Sequence, residues 1–125
     1  KRGIIVSSMI LLTCCSAIAQ EASTTQDLYY RCVKNEPVCG AYLMGIATIL
    51  HMMGKAYQDP ELEPNFVAPL LVFAICSQKG PMNGHSLRQQ FMSWVETNPA
   101  SRSEPMSYSV IEAFKAVWPC AERSN

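Results

Sequence analysis

The sequence predicts an all-α domain, a compact bundle of four to five helices cross-linked by two disulfides. Several segments repeat apolar residues at helical spacing, and no stretch alternates apolar and polar residues as a half-buried strand does. Stretches that contain proline or glycine separate these segments. Four cysteines follow a leader typical of exported proteins, and an even number of cysteines in an exported chain indicates disulfides.

Residues 1–19 have the pattern of a secretory signal peptide. A basic dipeptide at 1–2 precedes an apolar run over 3–12, and Ala-Ile-Ala at 17–19 fits the small-x-small cleavage rule. A membrane anchor is the first alternative, but the run is shorter than the roughly 20 apolar residues of a spanning helix. A lipoprotein attached at Cys14 or Cys15 is the second, although neither cysteine follows the usual small residue. We therefore expect a signal peptide over 1–19 and one helical domain over 20–125.

The composition excludes two broad classes of protein, nucleic-acid binding proteins and intrinsically disordered chains. The chain has 10 Lys+Arg against 10 Asp+Glu and a pI near 6.9, so it lacks the basic footprint of nucleic-acid binding proteins. Apolar residues make up 49% of the chain and charged residues 16%, which is too apolar for intrinsic disorder.

The cysteines of the mature chain are Cys32, Cys39, Cys76 and Cys120. They allow three pairings, and we favour Cys32–Cys39 with Cys76–Cys120. Free buried thiols are the alternative. No Cys-x-x-Cys is present and neither histidine lies at zinc-finger spacing from a cysteine, so no metal or other cofactor is expected.

Two helices are expected in the first half of the domain. The first begins at Thr25 or Gln26 and runs to about Val33, before a break that contains Pro37. The second runs from Cys39 to about Tyr57 and is apolar on most sides, which is typical of a helix central to a core or an interface. It also contains Gly40 and Gly45, where we expect another helix to approach closely.

The middle of the chain is less regular. Residues 58–65 hold two prolines and three acids, which indicates a solvated loop with at most one helical turn. Phe66 to Cys76 is an apolar run that fits a strand or a buried helix; we favour a helix because its neighbours are helical. Ser77 to Gly84 contains Gly80-Pro81 and Asn83-Gly84, two turn signals, and is expected to be an exposed loop.

Two further helices are expected near the C-terminus. Ser86 is predicted to cap one that runs to about Thr97. Ser103 is a possible cap for the last, which runs to about Trp118. Its predicted inward residues are Met106, Val110, Ile111, Phe114, Val117 and Trp118.

No constellation indicates catalysis. Cys76 and His85 could form a nucleophile and base, but that chemistry needs a free thiolate, and three cysteines compete for Cys76 in an oxidising compartment. Phosphate-binding loops, the Gly-x-Ser-x-Gly elbow and His-Glu-x-x-His are missing from the sequence. The residues by themselves indicate an exported helical disulfide protein that binds a partner and is not an enzyme.

Four motifs in order resemble a known family. They are Cys-x-x-Tyr-x-x-Gly at 39–45, Phe-Ala-Ile-Cys at 73–76, a helix with Leu87 and Trp94 that ends in Asn98-Pro99, and the aromatic-Pro-Cys terminus at 118–120. Together they cover most of residues 28–120. This set is similar to the Tai, or resistance-associated, family of type VI secretion amidase immunity proteins.

The resemblance implies a periplasmic antitoxin that forms a homodimer. It implies that the chain binds and inhibits a peptidoglycan amidase effector delivered by sister cells, and it brings no catalytic residues. We expect the loop Ser77–His85 to enter the groove of the effector, with contacts from Gln78, Lys79, Met82, Asn83 and His85. An inert connector is the alternative for this loop. A small periplasmic carrier or chaperone that binds an apolar ligand is the alternative for the protein.

Overall fold

A computed structural model describes residues 23–76 and 82–123. Within them the chain forms five α-helices and two short 3₁₀ helices. The α-helices are α1 (Thr25–Val33), α2 (Pro37–Gln58), α3 (Pro64–Val67), α4 (Gly84–Thr97) and α5 (Met106–Val117). The 3₁₀ helices are Ala68–Val72 and Pro99–Ser103. The predicted all-α fold and both favoured disulfides are confirmed.

One hydrophobic core holds the bundle together. α2 packs against α4 and α5, and α1 packs across both. Leu43, Phe91 and Phe114 are fully buried at its centre. The core as a whole comprises Leu28, Cys32, Cys39, Leu43, Ala47, Leu50, Ile75, Leu87, Phe91, Val95, Val110, Ala113, Phe114 and Trp118.

The first helix begins as the sequence predicts. Thr24 accepts a hydrogen bond from the Asp27 N–H, and the Asp27 carboxylate accepts one from the Thr24 N–H at 3.0 Å, which forms a capping box. The buried Thr25 hydroxyl lies 2.7 Å from the Ser109 hydroxyl and donates to the Glu104 carbonyl at 3.0 Å. These bonds join the start of α1 to the start of α5.

The apolar run over 66–76 is helical only in part. A single α-helical turn passes into the first 3₁₀ helix and ends at Val72, so the expectation of a helix to Cys76 is wrong for the last residues. Pro69 has no N–H to donate, which favours the short 3₁₀ form over a continued α-helix. Val67 and Ala74 are buried with Tyr57 in a small second cluster.

Three local expectations also need correction. The cap of α5 is Pro105, because Ser103 is the last residue of the second 3₁₀ helix. Val117 is 38% exposed and does not point into the core. A Cβ at Gly40 or Gly45 would meet no atom within 4 Å, so nothing approaches them closely within the described chain. That close approach occurs at Gly54 instead.

Candidate functional site

The chain that leads into the predicted effector-binding segment is firmly held. Ile75 donates its N–H to the Leu50 carbonyl at 3.1 Å, and Cys76 donates to the Trp118 carbonyl at 2.9 Å. Cys76 is also cross-linked to Cys120, which ties this point to the end of the domain. Residue 76 is therefore a fixed base for the segment that begins at residue 77.

The chain that leaves the segment is held by a helix cap. The Asn83 side chain accepts from the Ser86 N–H at 2.9 Å, and the Ser86 hydroxyl accepts from the Asn83 N–H at 3.2 Å. The prediction that Ser86 is the cap is wrong by three residues, since Ser86 occupies the third position of α4. A serine three residues after an asparagine can complete such a box from inside the helix.

The predicted contact residues fall into different environments. Gln78 and Lys79 lie outside the described residues. Met82 is half-buried and packs against the main core, and Asn83 is engaged in the cap. His85 is exposed and is the second residue of α4, so it belongs to a helix and not to a loop.

An open cavity of about 260 Å³ lies beside His85. It is formed where the turn between α1 and α2 faces the first turns of α4. Its lining residues are Asn35, Glu36, Pro37, Gly40, Gly84, His85 and Arg88. No motif in the sequence marks Arg88, but residues three apart on a helix lie on the same face, and that spacing places it with His85.

The wall of the cavity opposite α4 is a tight turn. Asn35 has a φ of 56°, in the left-handed region that asparagine tolerates, and donates its N–H to the Cys32 carbonyl at 3.0 Å. The Cys32–Cys39 disulfide spans the same turn. Arg88 donates from Nη1 to Oδ1 of Asn35, which joins the turn to α4.

The hypothesis that Cys76 acts as a nucleophile fails on this geometry. Cys76 is disulfide-bonded to Cys120, so it has no thiolate to offer. Among the described residues, no group of three or more His, Cys, Asp or Glu is placed to hold a metal ion.

A second surface is the outer face of α2. Val38, Met44, Ile49 and Met52 are exposed there, the last to 65%. By length and composition α2 could cross a membrane, although core helices of soluble proteins also meet these two criteria. In the described structure 28% of its most apolar window is buried. Its inner face packs in the bundle, and no residue of the described ranges covers the apolar side chains of the outer face.

Comparison with known families connects these features. The family model described as Rap1a immunity proteins matches residues 24–120. The chain belongs to the Rap1a immunity protein family. The match begins at the cap of α1 and ends at Cys120, so it includes every described helix and both disulfides.

Rap1a membership confirms the family predicted from the sequence motifs. It assigns the chain an immunity function against a type VI secretion effector, and it implies the role of an inhibitor without catalysis. Neither the curated proteins nor the solved structures contain a match to this Rap1a chain.

Proposed function

We propose that the chain is a periplasmic immunity protein that binds and inhibits a peptidoglycan amidase effector, and so protects the producing cell from itself and its sisters. The Rap1a family match over 24–120 carries this proposal. The two disulfides support a periplasmic location, because such bonds persist in oxidising compartments and are rare in the cytosol. The signal peptide predicted over 1–19 lies outside the described residues and would direct this export.

In the proposed mechanism, the segment 77–85 blocks the effector's substrate groove. Such an inhibitor binds tightly when its contact segment loses little freedom on binding. The Cys76–Cys120 disulfide fixes the chain on one side of the segment, and the Asn83 cap fixes it on the other. The amidase specificity rests on the motif resemblance.

We also propose that the protein is a homodimer built on the outer face of α2. Exposed apolar patches of this kind mark interfaces in soluble proteins. Ala41, Gly45, Thr48 and Met52 recur at helical spacing along this face, and their exposure leaves room for a partner. The small residues at its centre let two helix backbones approach each other closely.

Twofold symmetry makes the proposed contact specific. An axis midway between Gly45 and Thr48 places Met52 against the partner subunit's Ala41, and the reverse contact repeats at the other end. At both ends of the interface the large Met52 side chain then packs against the small side chain of the partner subunit's Ala41. Lys55 lies one turn beyond Met52, at the solvent-exposed edge of the same face.

The proposed inhibition is tested with the mature chain, residues 20–125, as bait for the secreted proteins of a type VI secreting strain. We expect it to retain a peptidoglycan amidase and to suppress hydrolysis of the γ-D-glutamyl–diaminopimelate bond. Replacing Gln78, Lys79 and His85 together by alanine should weaken inhibition at least about tenfold. Asn83 is left intact because loss of a cap costs about 1 kcal/mol and would confound the result.

A matched control variant separates the loss of effector contacts from a loss of folding stability. Gln89→Ala with Lys115→Ala changes side chains on α4 and α5 outside the segment and should inhibit like the native chain. Retention of an effector with another activity would refute the amidase assignment. Unchanged potency of the triple variant would refute the role of the segment. A bound lipid in native mass spectrometry, with no effector retained, would favour the carrier.

A further inference from the structure

We propose that the cavity between the α1–α2 turn and α4 accepts a carboxylate side chain, Asp or Glu, of the partner protein. The partner protein meant here is the effector, and in that respect alone the inference rests on the proposed function. Arg88 and His85 are the groups that would recognise it.

The charges around the cavity favour an anion. Among the described lining residues Glu36 is the one carboxylate, and it is paired with Arg31 at 3.1 Å. Arg88 forms no ion pair with any carboxylate of the described residues, and its bond to Asn35 is to a neutral amide oxygen. Within the part of the chain that the structure describes, the cavity therefore contains an arginine that no carboxylate pairs with.

The arginine is oriented before any ligand arrives. A guanidinium has five N–H donors in a planar fork that matches a carboxylate in two parallel hydrogen bonds. Asn35 takes a donor from one nitrogen, and the disulfide-closed turn fixes Asn35 in place. The remaining donors keep a defined direction, so less side-chain freedom is lost on binding.

The size and openness of the cavity favour a side chain of another protein over a free small molecule. Its volume of about 260 Å³ is below the range of typical small-molecule pockets, roughly 300–1,000 Å³. No atom of the described residues beyond the local chain lies within 4 Å of a Cβ built at Gly40 or Gly84, so these two glycines add no bulk to the rim of the cavity. A carboxylate on a short side chain can enter from a flat partner surface.

A first experiment tests the cavity without any effector. The ¹⁵N-labelled mature chain is titrated with N-acetyl-glutamate N-methylamide and, as a matched probe, with the glutamine analogue. We expect saturable shifts of the Gly84 amide and Arg88 Nε with the glutamate probe, and at least a fivefold smaller response to the glutamine probe. Equal responses to the two probes, or no response at these positions, would overturn the proposal.

A second experiment uses the effector retained by the bait. Arg88→Gln should weaken effector binding by about tenfold, as expected for hydrogen bonds to a charged group, and Arg88→Lys should recover part of the loss. Gln89→Ala, on the next residue of α4, should bind like the native chain. Asn35→Ala should cost less than Arg88→Gln because it removes the orienting bond and keeps the charge.

The two experiments separate the possible failures. If the glutamate probe binds but no effector is retained, the cavity stands and the proposed function fails. If the effector binds and Arg88→Gln leaves its affinity unchanged, the proposed function stands and the carboxylate site is wrong.

Discussion

Gly54 of α2 and Ile75 are in direct backbone contact. The Ile75 carbonyl occupies the place where a Cβ on residue 54 would lie; the carbonyl carbon would be 2.9 Å from that atom, and Cys76 Sγ would be 3.3 Å away. One turn earlier, the Leu50 carbonyl accepts the Ile75 N–H. This contact holds residues 75–76 against the helix and places Cys76 at its disulfide.

Gly54→Ala is expected to destabilise the fold by at least about 2 kcal/mol, because backbone and not a flexible side chain would have to move. Gly40→Ala is the matched control on the same helix. There the new methyl meets nothing, and the gain in helix propensity of up to about 1 kcal/mol should stabilise the protein. Urea denaturation of both variants measures the difference. Equal effects of the two substitutions would contradict the contact.

The two disulfides should contribute unequally to stability. The Cys76–Cys120 bond closes a sequence separation of 44 residues and Cys32–Cys39 one of 7. Loop-closure entropy predicts losses of about 4 and about 2.5 kcal/mol when each pair is replaced by alanine. Thermal melts of the two double variants, and of the native chain with and without dithiothreitol, check this. An unchanged melting temperature under reductant would count against both bonds.

The cap of α1 should make the folding stability depend on pH. Hydrogen bonds from the Thr24 N–H and hydroxyl hold the pKa of the exposed Asp27 carboxyl below its ordinary value of 3.8. A lowered folded-state pKa contributes stability that is present above the unfolded pKa and is lost as the pH falls through the folded one. The stability advantage of the native chain over Asp27→Asn should therefore be present at about pH 7 and shrink as the pH falls below the ordinary carboxyl pKa of 3.8. A difference that stays constant across this range would show that the charge of Asp27 does not matter to the cap.

The α2 surface should decide the oligomeric state. Met52→Glu places a charge where the proposed dimer packs Met52 against the partner subunit's Ala41, and it should yield a monomer in analytical ultracentrifugation. Val117→Glu, at a partly exposed site on α5, is the control and should leave the dimer intact. A dimer in both variants would place the interface elsewhere, and a native chain that sediments as a monomer would reject the dimer altogether.

Much of this architecture follows from patterns within single segments. The span of α1 is confirmed, α2 begins two residues before its predicted start, and the cap of α4 lies three residues before the predicted one. These elements depend on apolar spacing and on proline, which act over a few residues. Both favoured disulfide pairs form, and the ordered motifs lead to the family that the comparison confirms.

Contacts between distant segments are not predictable in this way. The sequence pattern favours Gly40 and Gly45 as the sites of close approach, but the approach is at Gly54, because the path of residues 73–76 over α2 decides it. Likewise Arg88 is an ordinary helix residue until the α1–α2 turn brings Asn35 against it.

The sequence by itself determined a helical chain with four paired cysteines and the motifs of an immunity family, since helix periodicity and chain order are local properties. The tertiary structure decided which glycine lies against a backbone carbonyl, which arginine faces a cavity and which side of α2 the described residues leave uncovered. Those outcomes depend on how segments far apart in sequence pack against one another, and no single segment encodes that packing.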